Sequence, residues 1–250
     1  MTDDLNQVLV FVIVGFLAQL IDGSLGMGYK VSSTTFLLNF GIPPVLASAS
    51  VHTAGIFTSI SSALAHFRFG NIKRDLVQKL ALPGVIGGII GALVLTRIPA
   101  EIVKPAVAIY LMGMGIIILY KALRQASMIP AASRITPLAL VGGFFDAIGG
   151  GGWGPIVTST LLARGGEPRF VIGSVNTAEF FVTLLQAITF FTVMGQVHVT
   201  AVIGLIIGGV VAAPFAAYIS KNLAARRLML LVGIVIITLS IRTFYLALTS

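Results

Sequence analysis

The feature that most limits what this chain can fold into is a series of long apolar segments that recur from one end to the other. The clearest are residues 8–21, 80–95, 107–120, 199–219 and 228–239. Several approach the roughly 20 residues that an α-helix needs to span a bilayer. Only 10% of the residues are charged, whereas soluble domains carry roughly a quarter. Backbone that faces lipid must satisfy its own hydrogen bonds, so the segments predict an all-α polytopic membrane protein.

The charge distribution and the absence of Cys argue against several classes of function. The formal net charge is +8, but the Lys and Arg residues lie in short gaps between apolar segments, where the positive-inside rule accounts for them without nucleic acid. The chain has no Cys, which excludes disulfides, thiolate metal sites and cysteine-based catalysis. Asp3 and Asp4 stand where a signal peptide has a basic cluster, so we expect no cleavable signal and treat the whole chain as mature.

An internal repeat divides the chain into two halves. The pentapeptide at 50–54 (SVHTA) corresponds to 174–178 (SVNTA), and the glycine-rich stretch 22–28 corresponds to 149–154. Gly87-Gly88 likewise corresponds to Gly208-Gly209. We therefore predict a first repeat at 1–122, with a broken hairpin at about 6–40 and helices at about 44–67, 76–96 and 102–122. The predicted linker is 123–136, and the second repeat is 137–250, with a hairpin at about 137–164 and helices at about 169–194, 198–219 and 224–247.

The basic residues orient these repeats. Lys and Arg are concentrated in four gaps, at 68–79, 121–134, 164–169 and 221–227, which should therefore face the cytoplasm. The N-terminus and the gap at 195–198 have none. This pattern is consistent only if each broken hairpin enters and leaves on one face, as a re-entrant hairpin. We therefore expect two inverted-topology repeats, each with a re-entrant hairpin and three transmembrane helices, and both termini outside the cytoplasm.

Inverted repeats with broken helices point to a transport site. A break frees backbone N–H groups and half-helix N-termini that can hold an anion. We expect the backbone donors at glycines of the two breaks, where backbone can approach a ligand without a Cβ: Gly26, Gly28, Gly152 and Gly154. Trp153 beside the second break could wall the site. The alternatives are that the glycines serve tight helix packing and that Trp153 is a packing or interface residue.

Polar residues at the starts of the third and eighth helical pieces could orient the substrate. They are Ser50, His52, Thr53, Ser174, Asn176 and Thr177. An oxyanion needs hydrogen-bond donors, which these neutral groups supply. His52 could donate to a ligand or accept a proton, but a lone membrane histidine is as often a hydrogen-bond partner between helices. Its counterpart Asn176 cannot titrate, which favours donation as the shared role.

Four ionisable residues are predicted at membrane depth, where charge is costly and is usually functional or paired. They are Asp22, Lys30, Asp146 and Glu179. Asp22 could cap the helix that follows it. Lys30 could neutralise Asp22 or Asp146, or bind the anion itself. Glu179 has Gly55 at its repeat position, and this asymmetry makes it a candidate proton carrier. The alternative for Glu179 is a fixed ion pair or hydrogen bond.

Three other functions stay open on the residues alone. A cation carrier could use Asp22, Asp146 and Glu179 as oxygen ligands, although these carboxylates are few and Lys30 opposes them. An intramembrane enzyme could use Asp22 and Asp146 as an aspartyl pair, although no protease motif accompanies them. A structural subunit would leave the paired glycine-rich breaks unexplained. We expect no catalytic residue, no metal and no cofactor.

The motifs also resemble a known family. The segments 19–29 (QLIDGSLGMGY), 49–54 (ASVHTA), 142–155 (GGFFDAIGGGGWGP) and 173–181 (GSVNTAEFF) resemble the sulfite exporter TauE/SafE family over nearly the whole chain. We expect members of this family to have Gly at the position of Lys30 and Glu at the position of Gly55. The gained cation favours anion binding in the first half, and the lost carboxylate argues against coupling through two carboxylates.

The resemblance implies a secondary transporter in the bacterial cytoplasmic (inner) membrane. Its substrate would be a small sulfur-containing oxyanion, such as sulfite, sulfoacetate or a similar organosulfonate, and its direction export. Alternating access would follow from rocking the two halves about a site at the bilayer midplane. The expected partners are the anion, protons and the lipid bilayer, without nucleic acid. A homo-oligomer and the coupling ion stay open.

Overall fold

All regular secondary structure in the described part of the chain is helical. The structure, a computed structural model, describes residues 2–25, 27–123, 135–164, 166–219 and 225–249, and these ranges contain no β-strand. The elements in order are α1 (Thr2–Leu25), α2 (Tyr29–Asn39), α3 (Pro44–Arg68), α4 (Arg74–Arg97), α5 (Ala100–Leu123), α6 (Ile135–Gly149), a π-helical segment (Trp153–Thr158), α7 (Ser159–Ala163), α8 (Pro168–Met194), α9 (Val199–Ile219) and α10 (Ala225–Thr249). The all-α prediction is confirmed, and the predicted linker lies almost wholly outside the described residues.

Two glycines mark the helix breaks that the sequence predicts. Gly28 has a φ of 122° directly before α2, and Gly150 has a φ of 69° directly after α6. A side chain is strained at such positive φ values, which glycine adopts at little cost. Each half can therefore end its first helix and begin a second, short helical piece in a new direction.

The helix connections gather at two faces of the molecule. At the first face, the ring of Phe11 in α1 lies 5.5 Å from that of Phe40 after α2, and 5.9 Å from that of His198 before α9. At the second face, Lys73 before α4 donates its backbone N–H to Ser174 near the start of α8 at 2.9 Å. The end of α2 therefore lies beside the N-terminal half of α1, and the re-entrant hairpin stays a prediction.

The helices of the two halves pack in matching pairs. α1 packs along α9 and α6 packs along α4, while α3 packs against α8 and α5 against α10. By the internal repeat, α1 corresponds to α6, α3 to α8, α4 to α9 and α5 to α10, while α2 corresponds to the π-helical segment with α7. The pair α1–α9 is therefore the counterpart of α6–α4, and the pairs α3–α8 and α5–α10 are their own counterparts. A two-fold relation between repeats requires this pattern. The boundaries 1–122 and 137–250 and the inverted topology stay predictions.

Glycines allow backbones to approach at the two matching crossings. A Cβ at Gly208 of α9 would lie 2.0 Å from the carbonyl oxygen of Val12 in α1. A Cβ at Gly87 of α4 would lie 2.0 Å from the carbonyl oxygen of Leu140 in α6. Small residues serve this purpose in membrane helix pairs, where dispersion contacts and not water exclusion drive association. The repeated Gly-Gly pair in the sequence therefore marks equivalent helix crossings.

The surface of the bundle is apolar and its centre is polar, the reverse of a soluble domain. Large apolar side chains such as Leu82, Ile109 and Ile207 are exposed, whereas Lys30, His52, Asp146 and Gln186 are buried. Among the described residues, the helical stretches at Arg74–Arg97, Ala100–Tyr120 and Arg169–Met194 are long and apolar enough to cross a membrane. α3 is as long but is less apolar, because it contains several Ser, Thr and His residues. These features are those of a polytopic membrane protein.

Candidate functional site

The polar centre is built around Lys30, in the first turn of α2. Its side chain is only 6% exposed, and its Nζ lies 2.5 Å from Asp146 Oδ2 and 2.9 Å from Glu179 Oε1. Nζ also donates to Thr183 Oγ1 at 3.1 Å. A buried ammonium is tolerated only when charges and hydrogen bonds replace its water. One lysine therefore joins the short helix α2 to α6 and α8.

Asp146 is the most completely engaged of the buried carboxylates. Its side chain is fully buried, and its Oδ1 accepts the backbone N–H of Trp153 at 3.2 Å. Its Oδ2 faces both Lys30 Nζ and His52 Nε2, the latter at 3.3 Å. Both oxygens are thus hydrogen-bonded, as an ionised carboxylate in a protein interior requires.

The same carboxylate cap occurs in both halves of the chain. Asp22 Oδ1 accepts the backbone N–H of Tyr29 at 3.3 Å, just as Asp146 accepts that of Trp153, and in each case the donor is seven residues downstream. A carboxylate at a helix N-terminus pairs a free N–H group and interacts favourably with the helix dipole. The structure places Asp22 in its capping role. The half-helix N-termini where we expected a substrate anion thus already hold carboxylates.

The glycines of the two breaks serve the backbone path. Gly28 supplies the positive φ before α2, and a Cβ at Gly152 would lie 2.4 Å from the carbonyl oxygen of Gly142. Gly154 is buried inside the π-helical segment, and Gly26 lies outside the described residues. Close packing therefore accounts for Gly152. That Gly26, Gly28, Gly152 and Gly154 donate to a substrate stays a prediction.

A polar pocket opens beside Lys30, between α1, α3 and α8. Its lining consists of Asp22, Tyr29, Lys30, Gly55, Thr58, Ser59, Ser62, Asn176 and Glu179. It has room for about one water molecule. The side chain of Glu179 is 15% exposed, so this carboxylate, unlike Asp146, borders the pocket directly. An oxyanion with four heavy atoms, such as sulfite, enters this pocket only if the lining moves.

The predicted helix-start hydroxyls are occupied by helix contacts. Ser50 Oγ accepts the backbone N–H of the residue before α9, and Ser174 Oγ accepts that of the residue before α4, both at 2.9 Å. Thr53 and Thr177 each donate to a carbonyl oxygen one turn back in their own helices at 2.7 Å. None of the four lines the pocket. Their predicted contact with the substrate has no support in this geometry.

His52 and Asn176, at equivalent repeat positions, both approach the centre. His52 is fully buried and contacts Asp146, whereas Asn176 lines the pocket and donates from its Nδ2 to Ser62 Oγ at 2.9 Å. The Oδ1 atom of Asn176 is buried without a partner among the described residues. The two equivalent residues therefore have different surroundings, because His52 contacts the carboxylate of Asp146 and Asn176 lines the pocket.

Trp153 is a packing residue in this structure. Its side chain is fully buried, and its indole N–H donates to the carbonyl oxygen of Val175 at 3.1 Å. A Cβ at Gly84 would lie 2.5 Å from the indole ring. The ring therefore fits between α4 and α8 and is not part of the pocket lining, so the packing alternative accounts for it.

Sequence reasoning missed the hydroxyl groups around Lys30. Thr183 follows Glu179 by four residues on α8, and Thr58, Ser59 and Ser62 follow Gly55 on α3 by three, four and seven. Residues at these spacings share one helix face. The helical period, counted onward from the predicted site residues, could have found them.

The cation-carrier alternative meets an obstacle in this arrangement. Lys30 Nζ stands between Asp146 and Glu179, where a bound cation would have to be. Within the ranges that the structure describes, no three or more His, Asp or Glu side chains form a group suited to a metal ion. The ammonium group already supplies the positive charge that these carboxylates need.

The fold and the centre together define a class of protein. Buried charges in a membrane bundle mark the path or site of a polar substrate or ion, and helices broken at matching positions are a feature of secondary transporters. The relatives that the chain matches are likewise named membrane transporters. The protein is a membrane transporter.

The particular family follows from comparison with known proteins. The model of the family "Sulfite exporter TauE/SafE" matches residues 11–243, so the chain belongs to this family. The chain is 40% identical over 249 residues to the "Probable membrane transporter protein YtnM" of Bacillus subtilis (strain 168), covering 96% of this chain and 83% of the relative. It is 29% identical over 204 residues to the "Probable membrane transporter protein ORF9" of Sinorhizobium sp, covering 78% and 72%. No solved structure matches the chain.

Proposed function

We propose that the protein is a secondary transporter that exports a small sulfur-containing oxyanion, such as sulfite, sulfoacetate or a similar organosulfonate, across the bacterial cytoplasmic membrane. The family name supports the substrate class. The observation that carries the proposal is the contact between Lys30 and Glu179 at 2.9 Å, at the edge of the polar pocket. Glu179 there occupies the position of a bound oxyanion.

Substrate binding would exchange one anion for another on Lys30. Among the described residues, Lys30 is the only Lys or Arg whose side chain is buried. Asp146 is enclosed behind it, whereas Glu179 borders the pocket and can turn aside. An oxyanion in place of Glu179 would accept from the ammonium. It would accept from Asn176 and the pocket hydroxyls if they exchange their present bonds, to Ser62 and to the carbonyl oxygen of Gly55, for bonds to the charged oxygens, which bind donors more strongly. The proposed substrate-binding residues are therefore Lys30 and Asn176, with Thr58, Ser59 and Ser62.

The matched helix pairs support alternating access. α1 on α9 and α6 on α4 form equivalent crossings, and the Asp22 and Asp146 caps are equivalent as well. In transporters with inverted repeats, such symmetry lets one half adopt the conformation of the other, which opens the site to opposite sides in turn. The water-sized pocket corresponds to a closed intermediate on this path.

Two other functions are less well supported by the same centre. A carrier of a different small anion would use the same lysine, and only the substrate would change. A carrier that binds a cation through Asp22, Asp146 and Glu179 would have to expel the ammonium of Lys30 first. An intramembrane aspartyl enzyme would need Asp146 as an available acid or base, whereas Asp146 is paired with Lys30.

Binding of sulfur anions to the purified protein tests the proposal. Sulfite, sulfate, thiosulfate and sulfoacetate are added, and the unfolding temperature is measured; a ligand at 100 times its Kd stabilises by about 2.7 kcal/mol. Lys30→Gln should abolish the stabilisation. Lys79→Gln removes an exposed lysine paired with Asp75 and should leave it unchanged. No stabilisation of the wild type by any of the four anions would refute the substrate class.

A second variant guards against misfolding of Lys30→Gln. Glu179→Gln removes the anion that competes for Lys30, so it should bind the substrate more tightly. A hydrogen bond to a charged group contributes about 1.5–3 kcal/mol, which corresponds to a gain in affinity of roughly tenfold or more. Weaker anion binding in Glu179→Gln would contradict the exchange on Lys30.

A further inference from the structure

The ring of His52 is held by a network that fixes the position of its protons. His52 is fully buried in α3, and its Nδ1 lies 2.7 Å from the carbonyl oxygen of Ser48, one turn back. A carbonyl oxygen only accepts hydrogen bonds. At this distance Nδ1 must carry a hydrogen, because a bare ring nitrogen would place one lone pair against another.

The hydroxyl of Ser48 does not change this assignment. Its Oγ lies 3.2 Å from His52 Nδ1, and a hydroxyl could in principle donate to a bare nitrogen. However, the same Oγ lies 2.5 Å from the carbonyl oxygen of Ala147, which can only accept. The single hydroxyl hydrogen is therefore committed to Ala147. Ser48 offers Nδ1 two acceptors and no donor.

A second proton is required on the other side of the ring. His52 Nε2 lies 3.3 Å from Asp146 Oδ2, and this contact is a hydrogen bond only if a proton lies between the two atoms. Asp146 receives Lys30 on the same oxygen and the N–H of Trp153 on the other. These donors favour the ionised carboxylate. With hydrogens on both ring nitrogens, the side chain is an imidazolium cation.

The charges around His52 favour this proton. Asp146 on α6 faces it directly, Lys30 on α2 lies between that carboxylate and Glu179 on α8, and Asp22 on α1 borders the pocket. Tyr110 on α5 is buried near Asp146. One lysine would otherwise face three carboxylates in a medium that solvates charge poorly. Phe190 covers the ring of His52 at 5.7 Å between centroids.

We propose that His52 is the proton-binding site of this transporter, and that its proton releases Lys30 for the substrate. A protonated His52 remains as the counter-cation of Asp146 when Lys30 turns toward an oxyanion. A neutral His52 leaves Lys30 as the counter-cation of Asp146, so the ammonium of Lys30 is then not available to the substrate. The coupling rests on the proposed transport function, whereas the protonation of His52 does not. Glu179 keeps the role of the anion that the substrate replaces.

The protonation of His52 is measured without any substrate. The chain has three histidines, so a variant with His66→Gln and His198→Gln leaves His52 as the sole histidine for ¹⁵N labelling and solid-state NMR in lipid. The two ring nitrogens of an imidazolium resonate close together, and those of a neutral ring resonate far apart. We expect a hydrogen on both ring nitrogens, as the contacts of Nδ1 with Ser48 and of Nε2 with Asp146 require. A ring with one bare nitrogen would overturn the proposal.

The coupling is tested through the pH dependence of anion affinity, with sulfite as the probe and sulfoacetate as a second probe whose charge is constant at neutral pH. Because the proposal links anion binding to one bound proton, the affinity for the anion should fall as the pH rises, by up to about tenfold per pH unit. His52→Gln should bind weakly at every pH, and His52→Asn, with the residue at the equivalent position 176, should do the same if the first variant folds poorly. Glu179→Gln should keep the pH dependence.

The outcomes separate the two proposals. Loss of the pH dependence in Glu179→Gln, with the dependence retained in His52→Gln, would place the linked proton on Glu179 and overturn the assignment to His52. Absence of anion binding by the wild type would refute the proposed substrate, while the NMR signals of His52 would still decide whether the buried proton exists.

Discussion

The two carboxylate caps allow the contribution of the Asp146 ion pair to the free energy of unfolding to be measured with an internal control. Asp22 and Asp146 hold the N–H group seven residues downstream at nearly the same distance, 3.3 and 3.2 Å. Only Asp146 also contacts Lys30 and His52. Substitution of each by asparagine keeps an acceptor oxygen for the cap and removes the charge. The difference between the two variants therefore measures the ion pair without the cap.

The magnitudes follow from the contacts. Asn and Asp are about equal as helix N-caps, so Asp22→Asn should lower the free energy of unfolding by less than about 1 kcal/mol. Breaking a buried ion pair costs roughly 3–5 kcal/mol. Asp146→Asn should fall at the lower end, near 3 kcal/mol, because Glu179 still compensates Lys30 at 2.9 Å. The measurement is a denaturant titration in mixed micelles followed by circular dichroism. Equal losses would show that Asp146 is only a cap and would refute the reasoning.

Three further predictions concern packing and hydrogen bonds. Gly87→Ala should cost about 1–3 kcal/mol in unfolding free energy, because its Cβ would lie 2.0 Å from a carbonyl oxygen, whereas Gly113→Ala, with open space around it, should cost nothing. Ser50→Ala and Ser174→Ala should each cost about 1 kcal/mol by the same titration, since both hydroxyls accept a helix-terminal N–H at 2.9 Å; a clear inequality would contradict their equivalence. Thr183→Val should weaken sulfite binding severalfold, whereas Thr183→Ser should retain it, because only serine keeps an acceptor for Lys30.

Sequence reasoning predicted the helical class and the breaks for good physical reasons. Apolar length and the cost of unpaired backbone in lipid leave helices as the solution for such segments. The breaks were visible because positive φ at Gly28 and Gly150 demands glycine, so the backbone requirement is written directly in the residue type. The resemblance to the family rests on these same stretches, which is why family and fold class were predicted together.

The site was only partly predictable. Lys30, Asp146, Glu179 and His52 meet at the centre, and they are found in sequence because ionisable residues at membrane depth are rare enough to be noticed. The helical period makes their partner Thr183 a candidate, because it lies four residues after Glu179, but many hydroxyls at such positions bond a carbonyl oxygen one turn back. Three-dimensional packing decides which hydroxyl turns toward a charge.

The helix-start serines show why residue type and position do not assign a role. Ser50 and Ser174 stand beside His52 and Asn176 in the same repeated motif, and a substrate contact was a reasonable expectation for all four. On a helix, however, residues two apart point about 200° apart, so the serines face away from the side that His52 and Asn176 present. Helix direction around these motifs, once known, places the serines on the side opposite His52 and Asn176, and their contact with a substrate stays a prediction.

The two serine contacts also bear on how a closed pocket could open. Ser50 ties α3 to the start of α9 at the first face, and Ser174 ties α8 to the start of α4 at the second face. Both are formed together in this structure, and the pocket admits about one water molecule. The proposed function requires the two halves to move relative to each other, which would break one of these hydrogen bonds while the other is kept. A hydrogen bond contributes only about 1 kcal/mol to stability, so either of the two can break in turn. The equivalent serines, Ser50 and Ser174, thus suit the alternating movement of the two halves. Lys30, His52 and Glu179 have a different residue at the equivalent position of the other half, and they suit the binding of substrate and proton.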